Sequence, residues 1–285
     1  MTGRPVVFGI LNITEDSFSD GGAYLDPAAA LAQARQLAAG GADVIDIGAA
    51  ASNVAARPVS AAEEIRRLDP VIAGLAGSGV AVSIDSFRPE VQRFAIARGV
   101  EFLNDIEGFA EPALYPALAA AQCRLVVMHA VQGRGRAQQL DLSPAAVERH
   151  IDEFFAARLA ALERAGIARE RLIIDPGMGF FLSSRPEASF RVLAGLARLK
   201  RRFGLPVLIS VSRKSFLAQA AKGRDPAERG AATLAAELFA AGRGVDYIRT
   251  HDPAALRDGL AVTAALQNRG RPLRPRRPAS GAIAI

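Results

Sequence analysis

Tryptophan is absent, and aromatic residues fill only 6% of the 285 positions. The apolar core must therefore come mainly from Val, Ile, Leu and Ala, and apolar residues make up half of the chain. The single cysteine, Cys123, excludes an internal disulfide framework and a thiolate zinc site. It precedes an apolar run and is expected to be a buried thiol. No apolar run reaches the roughly 18 residues that a membrane span needs. The apolar start, Val6 to Leu11, ends at Asn12 and lacks the cleavage region of an export signal, so a cytoplasmic location is expected. There is no Ser-His-Asp pattern, no H-E-x-x-H helix and no Walker loop. No G-x-G-x-x-G follows the first apolar run, which weakens a dinucleotide-binding reading.

The net charge of +6 invites a nucleic-acid partner, but its distribution argues otherwise. Arg269, Arg271, Arg274, Arg276 and Arg277 crowd the last stretch, interleaved with Pro272, Pro275 and Pro278 and with no acid among them. Setting those five aside leaves +1 for the rest. Residues 269–285 read as a basic Pro/Arg-rich disordered tail, because they cannot bury enough apolar surface to order themselves. No nucleic acid and no membrane is expected as a partner.

Short β-rich runs alternate with longer helical stretches eight times. The runs are Val6–Asn12, Asp43–Gly48, Ala81–Ser86, Phe102–Ile106, Arg124–Ala130, Leu172–Gly177, Pro206–Ser212 and Tyr247–His251. Several are nearly continuous apolar stretches, as strands covered on both faces are. Asp26 with Pro27 and Ser143 with Pro144 read as helix starts, and Ser60 with Glu63 matches a capping box. The longest helix repeats Val147, Ile151, Phe154, Phe155, Leu159 and Leu162 at helical spacing, and Gly166 can end it. The helix before the last strand is expected to break near Gly223 or Pro226. Eight β/α units in one domain predict a closed (β/α)8 TIM barrel over residues 1–268.

On this plan the polar residues gather at the carboxyl ends of six strands: Asn12, Asp85, Asn104 with Asp105, Asp175, Ser212 with Arg213 and Lys214, and Arg249 with His251. A barrel brings those ends to one face, where its active site lies. Each residue has a local alternative. Asp175 suits a turn cap before Pro176, Asp85 a cap for a helix near Pro89, Asn104 and Asp105 a turn, and Lys214 a solvated helix face. Arg249 and His251 share one face of the last strand, where a phosphate site is often built. Asp85, Asn104 and Asp175 are rich in acceptors and suit a planar ligand with an amidine-like edge, and Lys214 suits a ring carbonyl. His129 either faces this site or makes a core hydrogen bond. His150, among charges on the long helix, is expected to be solvated.

Seven stretches, taken in order, resemble the motifs of dihydropteroate synthases across nearly the whole barrel. They are Gly9-Ile10-Leu11-Asn12-Ile13-Thr14 and its continuation to Gly22, Ser83-Ile84-Asp85-Ser86, Asn104-Asp105, Met128-His129, Asp175-Pro176-Gly177-Met178-Gly179-Phe180, Ser212-Arg213-Lys214-Ser215 and Arg249-Thr250-His251. The resemblance implies condensation of a pterin diphosphate with p-aminobenzoate, by departure of diphosphate before the arylamine attacks. It implies that Asp85, Asn104, Asp175 and Lys214 hold the pterin with Arg213 beside it. It implies that Asn12, Arg249 and His251 bind the diphosphate, with Mg²⁺ at Asn12. Lys214, Arg249 and His251 are then the catalytic candidates. Ser212, Ser52, Phe180 and Phe181 are expected around p-aminobenzoate. Small-molecule substrates and a homodimer are the implied partners.

Two stretches depart from ordinary members. After the second strand, Gly48-Ala49-Ala50-Ala51-Ser52-Asn53 stands where a Thr-Arg pair is usual, so an arginine expected at the diphosphate is replaced; Arg57 is a candidate substitute. After the sixth strand, Gly179-Phe180-Phe181-Leu182-Ser183-Ser184 makes a loop about two residues longer. Both resemble the mobile-element-borne, sulfonamide-resistant branch of the family. Phe181 or Phe180 is therefore expected to narrow the p-aminobenzoate pocket against bulkier sulfonamides; the alternative is that both simply pack. Two other functions stay open. A methyltetrahydrofolate-type methyltransferase shares the fold, and a non-catalytic pterin-binding paralogue would tolerate the changed loop.

Overall fold

The computed structural model describes residues 4–14, 26–50, 59–133, 135, 138–221, 223 and 225–267. Ser52, Asn53, Arg57 and the 269–285 tail lie outside the described residues. Eight parallel strands form one sheet: β1 (Val6–Asn12), β2 (Val44–Gly48), β3 (Ala81–Asp85), β4 (Phe102–Asp105), β5 (Arg124–Met128), β6 (Leu172–Asp175), β7 (Leu208–Ile209) and β8 (Tyr247–Thr250). Their order is β6-β5-β4-β3-β2-β1-β8-β7, and a parallel bridge between Ile174 and Val207 returns the last edge to β6. The sheet is thus a barrel.

Helices α1 (Pro27–Ala39), α2 (Ala61–Leu75), α3 (Pro89–Ala97), α4 (Tyr115–Ala120) and α5 (Pro144–Arg164) follow the first five strands in turn. Helices α6 (Pro186–Ala194) and α7 (Leu196–Phe203) follow β6, α8 (Phe216–Ala220) and α9 (Gly230–Gly242) follow β7, and α10 (Pro253–Gln267) follows β8. The break expected near Gly223 or Pro226 separates α8 from α9. Asp26 and Ser143 cap α1 and α5 by accepting from Ala29 and Ala146 N–H. Ser60 caps α2 by accepting from Glu63 N–H, but Glu63 does not complete the box. Its carboxylate is drawn instead to Arg66 and Arg67, 2.7 Å away.

Strand periodicity sorts the side chains into two shells. Val7, Leu11, Ile45, Ile47, Ile84, Leu103, Val127, Ile174, Ile209 and Ile248 point outward and join the helices in one large aliphatic core. Phe8, Val44, Phe102, Val126, Ile173, Leu208 and Tyr247 point inward and fill the barrel's lower half. This inner floor departs from the all-aliphatic core that the composition implies. Phe8, Phe102 and Tyr247 meet edge to face, with centroids 5.0 to 6.3 Å apart. Such pairs contribute about 0.5–1.5 kcal/mol each beyond their buried area. Arg124 donates to the Tyr247 hydroxyl at 2.7 Å beneath them. The floor is thereby closed, and a ligand can enter only from the carboxyl-terminal rim.

Candidate active site

Directly above the aromatic floor, the inward positions turn polar. Asp46 (β2), Ser83 and Asp85 (β3), Asn104 (β4), Asp175 (β6) and Arg249 (β8) are each two residues, or a multiple of two, along their strand from a floor residue or its neighbour in register. Arg249 sits between two carboxylates. Its Nε donates to Asp46 and its Nη2 donates to Asp85 Oδ2 at 2.8 Å. Asn104 Nδ2 donates to the same Asp46 oxygen at 3.3 Å. The guanidinium is thus held by two strands that lie beside β1 and beyond it, and can be aimed without spending ligand binding energy on ordering it.

The same ring leaves acceptors open. Asp46 Oδ1, Asn104 Oδ1 and Ser83 Oγ are buried and lack a protein partner. Buried acceptors without partners cost about 1–3 kcal/mol each, so they point to a polar ligand or water in the barrel mouth. Asp175 Oδ1 accepts from Gly177 N–H at 2.8 Å, which orients the carboxylate inward. Lys214 Nζ lies 5.0 Å over the Phe181 ring, a cation–π contact that fixes the ammonium among the carboxylates.

Burial dominates the charges here. It raises Asp175 to about 6, against the Gly177 N–H, Lys214 and Arg249, which favour the anion. It raises Asp85 as well, opposed first by Arg249. It lowers Lys214 to about 8, helped by repulsion from Arg249 and resisted by Asp175 and Asp85. Burial alone would lower Arg249, but Asp46 and Asp85 outweigh it and hold the proton more tightly. His251 is pushed well below its ordinary value by burial and by Arg213, Arg249 and Lys214. The imidazole is neutral at pH 7 and offers a hydrogen bond, not a charge. Ser212 Oγ holds it, lying 2.8 Å from its Nδ1 and accepting from its backbone N–H at 3.2 Å.

At the rim, Asn12 ends β1 opposite Gly48 in the parallel register. A Cβ at Gly48 would lie 3.5 Å from Asn12 Oδ1 and 3.9 Å from Asp85 Oδ2, so the glycine leaves free the space between two side-chain oxygens that a Cβ would occupy. The pterin binding enzyme family matches residues 8–251, a span that contains every inward polar residue named here. A dihydropteroate synthase type-2 from Escherichia coli is 57% identical over 93% of this chain and 97% of its own length. The chain belongs to the dihydropteroate synthase family. Two solved structures agree in shape. The Xanthomonas albilineans dihydropteroate synthase with 4-aminobenzoic acid has a TM-score of 0.83 at 39% identity, covering 93% of this chain and 94% of that one. The same enzyme in complex with 7,8-dihydropteroate has a TM-score of 0.78 at 34% identity, covering 94% and 95%.

Among members of this family, the present chain brings Asn12, Asp85, Asn104, Asp175, Lys214, Arg249 and His251 to one rim. Ser212 is engaged with His251. Arg213 sits in a left-handed turn, φ 59°, its N–H bonded to Thr233 Oγ1 and its carbonyl to Arg229. β7 itself spans only Leu208–Ile209, short of the expected Pro206–Ser212, and the Arg213 turn follows it. Phe181 is buried with Ile106, Met128 and Ala130, and Phe180 packs half-buried beside it. Val131 N–H donates to the Phe181 carbonyl at 2.9 Å, and Ser184 N–H to the Leu140 carbonyl at 2.8 Å, so the longer loop is pinned to the one before it.

Some expectations change. Asp105 points outward and accepts from Gln92 Nε2 and from the N–H groups of Glu107 and Phe109, which is the turn-forming alternative. His129 also points outward, bonding the Pro176 carbonyl and His150. His150 is half-buried at that bond and not simply solvated. Two residues were not singled out by sequence. Asp46 was visible as a lone carboxylate between Ile45 and Ile47, in phase with Val44. Arg67 of α2 donates to the carbonyls of Ile13 and Ala49 at 3.4 and 3.3 Å, tying together the exits of β1 and β2; nothing in its helical context signals that.

Proposed function

We propose that this chain condenses 6-hydroxymethyl-7,8-dihydropterin diphosphate with p-aminobenzoate to give 7,8-dihydropteroate and diphosphate. The supporting observation is the Asp46–Arg249–Asp85 array, in which a fully buried Asp46 and a partly exposed Asp85 hold one guanidinium, with Asp175 and Lys214 facing it. Asp85, Asn104 and Asp175 would accept from the pterin's amidine-like edge and Lys214 would donate to its ring carbonyl. Arg213 lines the approach beside the pterin. Arg249 and the neutral His251 would meet the diphosphate, on which negative charge grows as the exocyclic C–O bond breaks. Donors already fixed at that point lower the barrier without reorganising. The carboxylates spread the positive charge left on the pterin, and the arylamine nitrogen then forms the C–N bond and loses its proton. Among the described residues the site offers no dedicated strong base, and an SN1-like route requires none.

Mg²⁺ fits this site as a companion of the diphosphate. It prefers one or two protein oxygens completed by phosphate and water, and Asn12 Oδ1 beside the space at Gly48 supplies one. It would neutralise charge on the leaving group. No cluster of three or more His, Cys, Asp or Glu occurs among the described residues, so a cage made of protein ligands alone is not the reading here.

No described helix is long and apolar enough to cross a membrane, and a cytoplasmic enzyme is our reading. Of the four large exposed apolar residues among those described, Phe190 lies on α6 and Phe239, Val262 and Leu266 lie on α9 and α10, and the last three support a homodimer through α9 and α10.

The deciding assay incubates the purified chain with both substrates and Mg²⁺ and follows diphosphate. Release that requires p-aminobenzoate is expected. Pterin binding with no release selects a non-catalytic paralogue, and methyl transfer to a corrinoid protein selects the methyltransferase alternative.

We also read the chain as sulfonamide-tolerant. Phe181 is held rigidly under Lys214, and Phe180 beside it, where a drug's bulk beyond the arylamine ring would extend. Ser52, the other residue expected around p-aminobenzoate, lies outside the described residues. A tenfold discrimination needs only about 1.4 kcal/mol. Replacing Phe181 by Ala should lower the sulfamethoxazole concentration for half-inhibition about tenfold, while the KM for p-aminobenzoate moves less. Equal inhibition of both forms would reduce the phenylalanines to packing.

A further inference from the structure

His129 follows β5 on the outer side of the barrel, fully buried, and two of its three polar contacts go to one neighbouring turn. Its backbone N–H donates to the Asp175 carbonyl at 2.8 Å, and its Nδ1 lies 2.9 Å from the Pro176 carbonyl. A carbonyl can only accept, so Nδ1 carries the proton. Its Nε2, 2.7 Å from His150 Nδ1, is then the acceptor, and His150 must donate. Burial lowers His129 to about 3, which keeps it in this single-proton form. Phe154, four residues after His150 on α5, packs edge to face on the His129 ring at 5.3 Å. The turn itself has no slack. Gly177 has φ +72°, and a Cβ there would lie 2.4 Å from the His129 carbonyl oxygen.

We propose that His150 and His129 are positioning residues that set the Asp175-Pro176-Gly177 turn, and through it the carboxylate that grips the pterin. The inference rests on the reading of Asp175 as a pterin ligand. The path is continuous: His150 donates to His129, His129 donates to Pro176, and Gly177 N–H donates to Asp175 Oδ1. Its hydrogen bonds reach none of Asn12, Arg249 or His251, although Gly177 lies beside Phe181. Loss of the His150 donor leaves a buried nitrogen without a partner and frees the ring to tilt. The Pro176 carbonyl follows, and Asp175 with it.

The test compares His150→Leu, which keeps bulk but donates nothing, with His150→Asn, whose amide N–H stands near the place of Nδ1. The leucine variant should raise the KM for the pterin diphosphate roughly 3- to 10-fold, the worth of one buried hydrogen bond, and leave the KM for p-aminobenzoate within about twofold. The asparagine variant should restore most of the loss. An unchanged pterin KM in the leucine variant overturns the proposal. So does an equal rise in both constants with a lowered melting temperature, the pattern of a merely structural residue. Nitrogen-15 spectra of the unmodified protein give a second reading that needs no variant. His129 should be protonated at Nδ1 only, and a proton at Nε2 overturns the relay. A wild-type enzyme that fails to bind the pterin diphosphate at all would instead remove the assignment of Asp175.

Discussion

Replacing Arg249 by alanine is expected to lower kcat by about two to three orders of magnitude, the usual loss when one fixed donor to developing negative charge is removed. The argument rests on how the side chain is held. Asp46 is fully buried and Asp85 is partly exposed, and both grip the same guanidinium. Its remaining N–H groups therefore stay aimed at the rim. Lysine cannot reproduce this fork, so Arg249→Lys should recover little of the rate.

The loss will also reach stability, because Asp46 would stay buried with its cationic partner gone. Breaking one side of a buried pair typically costs about 3–5 kcal/mol. Asp46→Asn separates the two effects. It keeps an acceptor for Arg249 Nε and removes the charge, so the melting temperature should fall little while kcat drops by a smaller factor than in Arg249→Ala. The measurement is kcat with saturating substrates beside a thermal melt of each variant. An Arg249→Ala enzyme within fivefold of wild-type kcat would show that the leaving group is stabilised elsewhere.

The strand plan was legible because parallel strands covered on both faces read as short apolar runs, and all eight lie where those runs are. The rim was legible because local roles as caps and turn formers, which suit each polar residue singly, do not account for their gathering at the carboxyl ends of six strands. Period-two alternation carried more than was taken from it. Counting from Phe102, Asn104 falls inward and Asp105 outward. Counting from Val44, Asp46 falls inward. Counting from Val126 and Met128, His129 falls outward, so its core-bond alternative could have been preferred.

What the sequence could not carry was three-dimensional. The His129–His150 bond joins β5 to α5 across a distance that only packing defines, which is why a histidine among charges looked solvated. The Arg67 contacts join a helix to two strand exits. The left-handed Arg213 turn that follows the short β7 is held by α9 through Thr233. Glu63 had two possible partners, and the nearer arginines won over the helix end.

Replacing Lys214 by alanine should abolish rescue of a synthase-deficient bacterium, and the pH profile should say why. Lys214 titrates at about 8 in the fold against an ordinary 10.5. Above pH 8 it loses the proton with which it would meet the pterin carbonyl, so kcat/KM for the pterin diphosphate should fall with an apparent pKa near 8. Asp85 and Asp175, both raised by burial, the second from 3.8 to about 6, should together give the acid limb, since a protonated carboxyl no longer accepts two bonds. Lys214→Arg should remove the alkaline limb up to about pH 10 even where its rate is lower, because guanidinium keeps its proton there. An alkaline limb that persists in Lys214→Arg would assign that limb to another group.

The stability consequences run in opposite directions for the two residues. The folded state binds the Lys214 proton less tightly than the unfolded chain, so Lys214 destabilises the fold below pH 8 and this cost fades as pH rises from 8 toward 10.5. The fold binds the Asp175 proton more tightly, so the cost of Asp175 grows as pH rises from 3.8 to about 6 and is fully present above it. At pH 7 the empty site therefore carries both charges under strain, and a pterin that bonds to both relieves it. Asp175→Asn should accordingly fold at least as stably as wild type at pH 7 while failing to support growth. A clear fall in its melting temperature at that pH would show that the carboxylate stabilises the fold, and the strain assigned to it here would have to be withdrawn.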